Sequence, residues 1–245
     1  MSTLVNRNSG QMEFHKKVLS ENTHEPKVIE IPDYFVLLSD MAEDDPMRQI
    51  AEDHLITERK IDPADYPYYM GVATADQYSE PWKNRLIIPI YNRNKKLIFY
   101  QGRDLLDLSV SKYKSCTADR DNVLYGMDQL YAHTSAPLFI CEGFFDAYHV
   151  NGVAVMGKQI TEGMIWHLDK SPREKIIIPD RSGDGETLAL AGLKLGWKIS
   201  TPDFGGCKDV TEAIVKYGKL YTMKSLMDNI HSGFKAEINL GVYCK

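Results

Sequence analysis

Glu142 stands immediately after the apolar run Leu138-Phe-Ile-Cys141, and Asp180 immediately after Lys175-Ile-Ile-Ile-Pro179. Both runs have the length and composition of buried strands. A carboxylate at the end of a buried strand is costly to desolvate without a partner. Asp146 closes the stretch Cys141-Glu-Gly-Phe-Phe-Asp146, and Asp184 lies within Asp180-Arg-Ser-Gly-Asp-Gly185. Asp203 and Asp209 lie beyond a further short run, Trp197-Lys-Ile-Ser200. Hard oxygen donors gathered this way suit Mg²⁺, which keeps waters and binds phosphate oxygens at the same time. Glu142 and Asp180 are read as metal ligands on this ground. Each acid also has a plainer reading. Asp and Glu are common before helices as caps, and Asp209 with Glu212 resembles a capping box. For Asp209, cap and ligand both stay open, while Asp203 reads as an ordinary loop residue.

These acids have to be positioned by the elements around them. From Pro137 onward, short apolar runs (Leu138–Cys141, Val153–Met156, Lys175–Pro179, Trp197–Ser200) alternate with helical stretches near Phe144–Val150, Thr161–Asp169, Glu186–Leu195, Val210–Tyr217 and Tyr221–Ile230. Such alternation predicts a mainly parallel sheet with helices on both faces, and ligands sit at the carboxyl ends of such strands. Upstream, Arg85–Tyr91 and Lys96–Gln101 flank the turn Asn92–Lys95 and predict a β-hairpin. Met47–Arg59 has helical spacing, with Pro46 at its start and Pro63 beyond its end. Ser109–Asn122 is polar and reads as a surface loop. Residues 1–26 are polar and aperiodic and read as a flexible arm or linker.

With 245 residues and a net charge of −5, the chain has the composition of a soluble globular protein. No apolar run approaches the ~20 residues of a membrane span, so a cytoplasmic location is expected, with no membrane partner. Cys116, Cys141, Cys207 and Cys244 are scattered without a C-x-x-C pair, so no zinc site is expected. The negative charge argues against a surface coated in basic residues, but it leaves room for a local basic groove beside an acidic site.

Several of these motifs together resemble a known family. Cys141-Glu-Gly-Phe-Phe-Asp146 resembles the first TOPRIM motif, a strand ending in Glu-Gly with an Asp three residues beyond the Gly. Asp180-Arg-Ser-Gly-Asp-Gly185 resembles the second, normally D-x-D-x-x-G. In order upstream, Arg85-Leu-Ile-Ile-Pro-Ile, Tyr100-Gln-Gly-Arg103, Lys112-Tyr113 and Leu124-Tyr-Gly126 resemble the motifs of the bacterial-type DNA primase core. Val155-Met-Gly157, Thr161 and Lys208-Asp209 fit as well. The resemblance runs from about Arg85 to Tyr217 and is closer to phage primases than to full bacterial ones.

This resemblance implies an α/β fold: a TOPRIM-type, mainly parallel sheet flanked by helices over residues 135–245. A smaller α+β N-terminal subdomain with a basic groove would occupy residues 27–134. It further implies that Glu142, Asp146 and Asp180 are catalytic and hold Mg²⁺ or Mn²⁺, with Asp209 matching a further acidic position. Arg85, Arg103 and Lys112 would line the groove for triphosphate or template, their cations matching phosphate oxygens. Tyr113 and Tyr125 would either stack on bases or belong to the core. There are departures too. Ser182 stands where the second acid of D-x-D is usual, and Asp184 offers a substitute two residues on. The zinc ribbon of full primases has no counterpart here, and no G-x-x-x-x-G-K-[ST] loop is present. The expected activity is synthesis of short RNA primers on single-stranded DNA from ribonucleoside triphosphates, beside a separate replicative helicase. The rivals are a TOPRIM nuclease and a non-catalytic nucleic-acid-binding module.

Overall fold

The antiparallel hairpin expected at Asn92–Lys95 is the centre of the first of two five-stranded sheets. A computed structural model describes residues 24–181 and 183–244. In the first sheet, β1 (Phe35–Leu37), β2 (Tyr69–Gly71), β3 (Arg85–Tyr91), β4 (Leu97–Asp104) and β5 (Tyr113–Ser115) pair antiparallel in chain order. Asn92 closes the β3–β4 turn, its Oδ1 accepting from the backbone N–H groups of Asn94 (2.9 Å) and Lys96 (3.0 Å). This is an Asx turn. Strand β3 is buried on both faces: Leu86, Ile88 and Ile90 join the main core, while Ile87 joins a second core with Phe35, Trp82, Leu97 and Tyr100. The segment Ser109–Asn122 is not wholly a loop, because β5 lies inside it and pairs Tyr113 with Arg103. Its polar composition hid an edge strand whose outward residues face solvent.

The second sheet contains β6 (Leu138–Cys141), β7 (Val153–Ala154), β8 (Lys175–Ile177), β9 (Lys198–Ser200) and β10 (Ile230–His231). Their order is β10-β9-β8-β6-β7, parallel except for the edge strand β10. The helices are α1 (Pro46–Asp53), α2 (Phe144–His149), α3 (Glu162–Asp169), α4 (Gly183–Lys194), α5 (Val210–Tyr217), α6 (Lys219–Asp228) and α7 (Gly233–Tyr243). After β6 the chain moves outward to β7, then returns across β6 to lay β8 on its other side. The strand order thus reverses between β6 and β8. A crevice opens outside the strand ends at such a switch point, and it is the usual ligand site of parallel sheets. Ile140 pairs with Ile177, so Glu142 and Asp180 leave the sheet at the same edge and height.

Helix α1 is capped by Asp45, whose carboxylate accepts from the N–H groups of Met47 (2.8 Å) and Arg48 (3.2 Å), with Pro46 in the first turn. The helical spacing that runs to Arg59 does not continue as an α-helix. Residues His54–Glu58 form a π-turn, and Lys60 follows in the left-handed region at φ 54°.

The expected arm over residues 1–26 lies almost entirely outside the described residues. Its last three are described: Pro26 is buried, and the His24 carbonyl accepts from His167 Nε2 at 2.8 Å. No helix among the described residues is long and apolar enough to cross a membrane.

Arg173 ties the connection before β6 to the parallel sheet. It is buried and donates to the carbonyls of Gln129 (2.8 Å), Ala136 (2.9 Å) and Pro137 (2.7 Å). An Arg173→Met variant fills similar volume but leaves three carbonyls without their donor. The expected loss is about 3 kcal/mol, measured by urea unfolding. A loss below about 1 kcal/mol would show that water replaces the guanidinium freely.

Candidate functional site

A cleft of about 690 Å³ lies over the carboxyl ends of β6 and β8. Glu142, Asp146, Asp180, Asp184 and Asp209 all border it. Asp146 sits in the first turn of α2 and is buried. Its Oδ1 accepts from both the backbone N–H and the hydroxyl of Thr211, each at 2.8 Å, at the start of α5. An anion is favoured there by the unpaired N–H groups and the helix dipole. Asp209 caps the same helix, accepting from Glu212 N–H at 2.8 Å. Glu212 reaches back to the N–H of Lys208 (3.0 Å), one residue before the position a capping box requires. The two readings of Asp209 are compatible: one oxygen caps the helix and the residue still faces the cleft.

Packing these acids together has an electrostatic cost. Burial, with Asp184 and Asp146 nearby, raises the Glu142 carboxyl to about 7. Burial, then Asp146, Glu142 and Asp209, raises Asp180 to about 9. Asp209 rises to about 6 through burial and Asp146. Asp146 is also raised by burial, against the pull of the Thr211 hydrogen bonds. Glu142 Oε1 is buried without a hydrogen-bond partner. An unpaired buried carboxylate oxygen in a ring of acids is the position a cation would relieve. The donors are all oxygens, as a hard divalent ion requires. They do not form a finished cage: among the described residues, no three His, Cys, Asp or Glu side chains converge closely enough to hold one ion. Asp184 is engaged by Lys158 at 3.0 Å, an exposed pair across the rim. Ser182 lies outside the described residues. Gly185 fits where a side chain cannot, since a Cβ there would lie 2.1 Å from the Asp180 carbonyl oxygen.

The facing wall is basic. Arg103 and Lys112 border the cleft, as does Tyr113, whose ring lies 5.2 Å from the Arg103 guanidinium. Arg85 does not reach it. In the register of the first sheet, Arg85 lies opposite Asp104 and Leu86 opposite Arg103. The pleat therefore puts Arg85 and Arg103 on opposite faces. Arg85 is buried instead, donating to the carbonyls of Pro81 (3.2 Å), Gly102 (3.2 Å), Ser111 (3.3 Å) and Lys112 (3.4 Å). It braces the β4–β5 connection that carries Lys112. Tyr125 does not border the cleft; it is half-buried and packs against the core through Phe144, with ring centroids 4.6 Å apart.

Three cleft residues, and one buried behind the cleft, carried no signal in the sequence reading. Arg59 comes from the π-turn, Arg120 from the loop after β5, Lys158 from the loop after β7, and Thr211 from the start of α5. Arg120 Nη1 donates to the Met156 carbonyl at 3.3 Å. Met156 itself has φ 55°, an uncommon conformation for a side-chain-bearing residue, right beside the site.

The two sheets and their helices make a mixed α/β fold of the TOPRIM type. No family model matches the chain. The DNA primase of Enterobacteria phage T4 is 28% identical over 240 residues, spanning 90% of this chain and 67% of that protein. Among solved structures, the RNA polymerase domain of Mycobacterium tuberculosis primase DnaG with a double-stranded DNA oligomer carrying a 6-nucleotide overhang superposes with TM-score 0.63. It is 15% identical and spans 85% of this chain and 86% of that one. The DnaG primase catalytic domain bound to ssDNA gives 0.59 at 17% identity, over 76% and 73%. The E. coli primase catalytic core gives 0.59 at 17%, over 78% and 76%. The fold is that of the DnaG catalytic core.

The raised carboxyls have a signed consequence for stability. They bind protons more tightly folded than unfolded. They therefore favour the fold at low pH, and this is lost as pH rises from the ordinary carboxylate range through about 7 for Glu142 and about 9 for Asp180. Asp180→Asn should raise the melting temperature at about pH 8 and leave it little changed near about pH 4. The gain from millimolar Mg²⁺ should grow over the same window in the parent and shrink in the variant. A Mg²⁺ gain that is flat with pH in scanning fluorimetry would break the link to these groups.

Proposed function

We propose that this chain is the catalytic core of a DNA primase, joining ribonucleotides into short RNA primers on a single-stranded DNA template. The observation that carries the reading is one cleft with buried carboxylates on one wall and Arg59, Arg103, Lys112 and Arg120 on the wall facing it. Nucleotidyl transfer needs both: a place for cations at the reacting phosphate and fixed positive charge along the backbone of template and triphosphate. The phage T4 relative, a DNA primase, supports the same reading. On this reading the chain would divide into a groove-bearing part over residues 27–134 and a TOPRIM part over residues 135–245.

Glu142, Asp146 and Asp180 would hold a divalent cation, Mg²⁺ or Mn²⁺, with Asp184 and Asp209 in reach. Such an ion supplies activation of the attacking 3′-hydroxyl and neutralisation of the leaving pyrophosphate. The Thr211 bonds keep Asp146 oriented before any ion arrives. Mg²⁺ keeps several waters and takes few protein ligands, so one or two of these carboxylates would suffice for it. Arg103 and Lys112 would bind and orient phosphates, and Tyr113, 38% exposed beside Arg103, offers a face for a base. A separate replicative helicase is the partner this function calls for.

The test is primer synthesis from ribonucleoside triphosphates on a single-stranded template, run against Mg²⁺ concentration. Labelled RNA products are expected from the parent. Glu142→Gln keeps the side-chain shape and should lower the rate by about 10²-fold or more, because a neutral amide is a poor ligand. Cleaved template without RNA would make the protein a nuclease. Binding with neither product would make it a nucleic-acid-binding module. A Glu142→Gln rate equal to the parent's would remove Glu142 from the chemistry.

A further inference from the structure

Arg59 enters the cleft by a route ordinary helix geometry does not offer. In an α-helix, residues five apart point about 140° away from one another. The π-turn over His54–Glu58 closes with Arg59 N–H donating to the His54 carbonyl at 3.1 Å, and it brings the two side chains together. Arg59 Nε donates to His54 Nε2 at 3.2 Å, and His54 Nδ1 donates to Glu58 Oε2 at 2.9 Å. The Glu58 contact requires a proton on Nδ1 and the Arg59 contact a lone pair on Nε2, so the two together select the neutral Nδ1–H tautomer. Burial, reinforced by Arg59, lowers the His54 pKa to about 4, so that lone pair is available at neutral pH.

The guanidinium is held on two further sides. It lies 4.7 Å from the Phe145 ring centroid, a cation–π contact onto the helix that carries Asp146. The Arg59 carbonyl accepts from His149 Nε2 at 2.6 Å, on the same helix. Among the described residues, the Arg59 Nη groups have no hydrogen bond to protein, and the residue borders the cleft. This is the reverse of Arg85, whose Nη groups are spent on carbonyls. An arginine gripped at Nε and free at Nη presents the fork that fits phosphate oxygens. π-turns also recur at functional sites.

We propose that His54 is a positioning residue: through the Glu58–His54–Arg59 chain it aims the Arg59 guanidinium at a phosphate of the strand held in the cleft. The proposal rests on the cleft's reading as a nucleic-acid site. Leucine at position 54 keeps an apolar fit against Phe145 and removes the acceptor. Glutamine keeps an amide oxygen that can accept from Arg59 Nε–H.

The test is a double-mutant cycle on binding of a fluorescent oligo-dT, with His54→Leu, Arg59→Gln and their combination, plus His54→Gln. Melting curves establish that each is folded at the assay temperature. His54→Leu should weaken binding about fivefold in the parent background and add nothing in the Arg59→Gln background. His54→Gln should recover most of the loss. Arg59→Gln should reduce the salt slope of binding by about 0.7, one phosphate's worth on a single strand. ¹⁵N NMR of the free protein reads the relay without DNA. A slowly exchanging Arg59 Nε–H signal should be present in the parent and His54→Gln and absent in His54→Leu. Equal weakening by His54→Leu in both backgrounds, or parental affinity in His54→Leu, overturns the proposal. A parent that binds no oligo-dT overturns the cleft reading and the purpose assigned to the relay, while the NMR signal still decides whether the relay exists.

Discussion

Mutual repulsion among buried carboxylates at one sheet edge is the constraint around which this molecule is built. Burial raises Glu142, Asp146, Asp180 and Asp209, and neighbouring acids raise Glu142, Asp180 and Asp209 further. A protein selected only for stability would not gather them. The fold offsets part of the cost locally. Thr211 gives Asp146 two hydrogen bonds at a helix start, and Asp209 is spent partly on a cap. The remainder is left as an unpaired oxygen on Glu142.

The basic wall answers the acids from the other sheet, and its members are positioned by different devices. Arg103 and Tyr113 are cross-strand partners on β4 and β5 and so share a face by pleat geometry alone. Lys112 depends on a connection pinned from behind by Arg85. Arg59 depends on a π-turn, a histidine and a phenylalanine ring. Cations on the groove wall are thus held by hydrogen bonds and aromatic faces more than by carboxylates. Their positive charge is concentrated on this wall, even though the chain as a whole carries −5. Lys158, paired with Asp184, and Lys208, paired with Glu212, are the exceptions.

How much of this could be read from residues alone depended on how local the cause was. The β3–β4 hairpin and the alternating strands and helices from Leu138 onward were legible because apolar periodicity and turn chemistry are local properties. The edge strands β5 and β10 were not, since a two- or three-residue polar strand has no period to detect and exists only because a neighbour offers it hydrogen bonds. Helix α7 was also missed, since its apolar residues are divided between a buried face and exposed positions such as Phe234 and Val242. Arg85 was the instructive error. Its residue type fits a phosphate, yet one step along a pleated strand sends it to the opposite face from Arg103.

The amino-acid sequence by itself determined which strands end in acids and that those acids share one edge of a parallel sheet; Arg103, Lys112 and Tyr113 were joined to them only through the motifs of the resemblance. These follow from strand length, alternation and the direction of parallel connections, all carried by neighbouring residues. Only the tertiary structure decided that Thr211 steadies Asp146, that Arg59 faces the cleft while Arg85 turns away, and that the acids border the cleft without closing into a cage. Those outcomes depend on contacts between residues far apart in the chain, such as Asp146 with Thr211 and Arg59 with His149. Packing of α2 against α5 and of the π-turn against α2 sets them, and no local pattern encodes it.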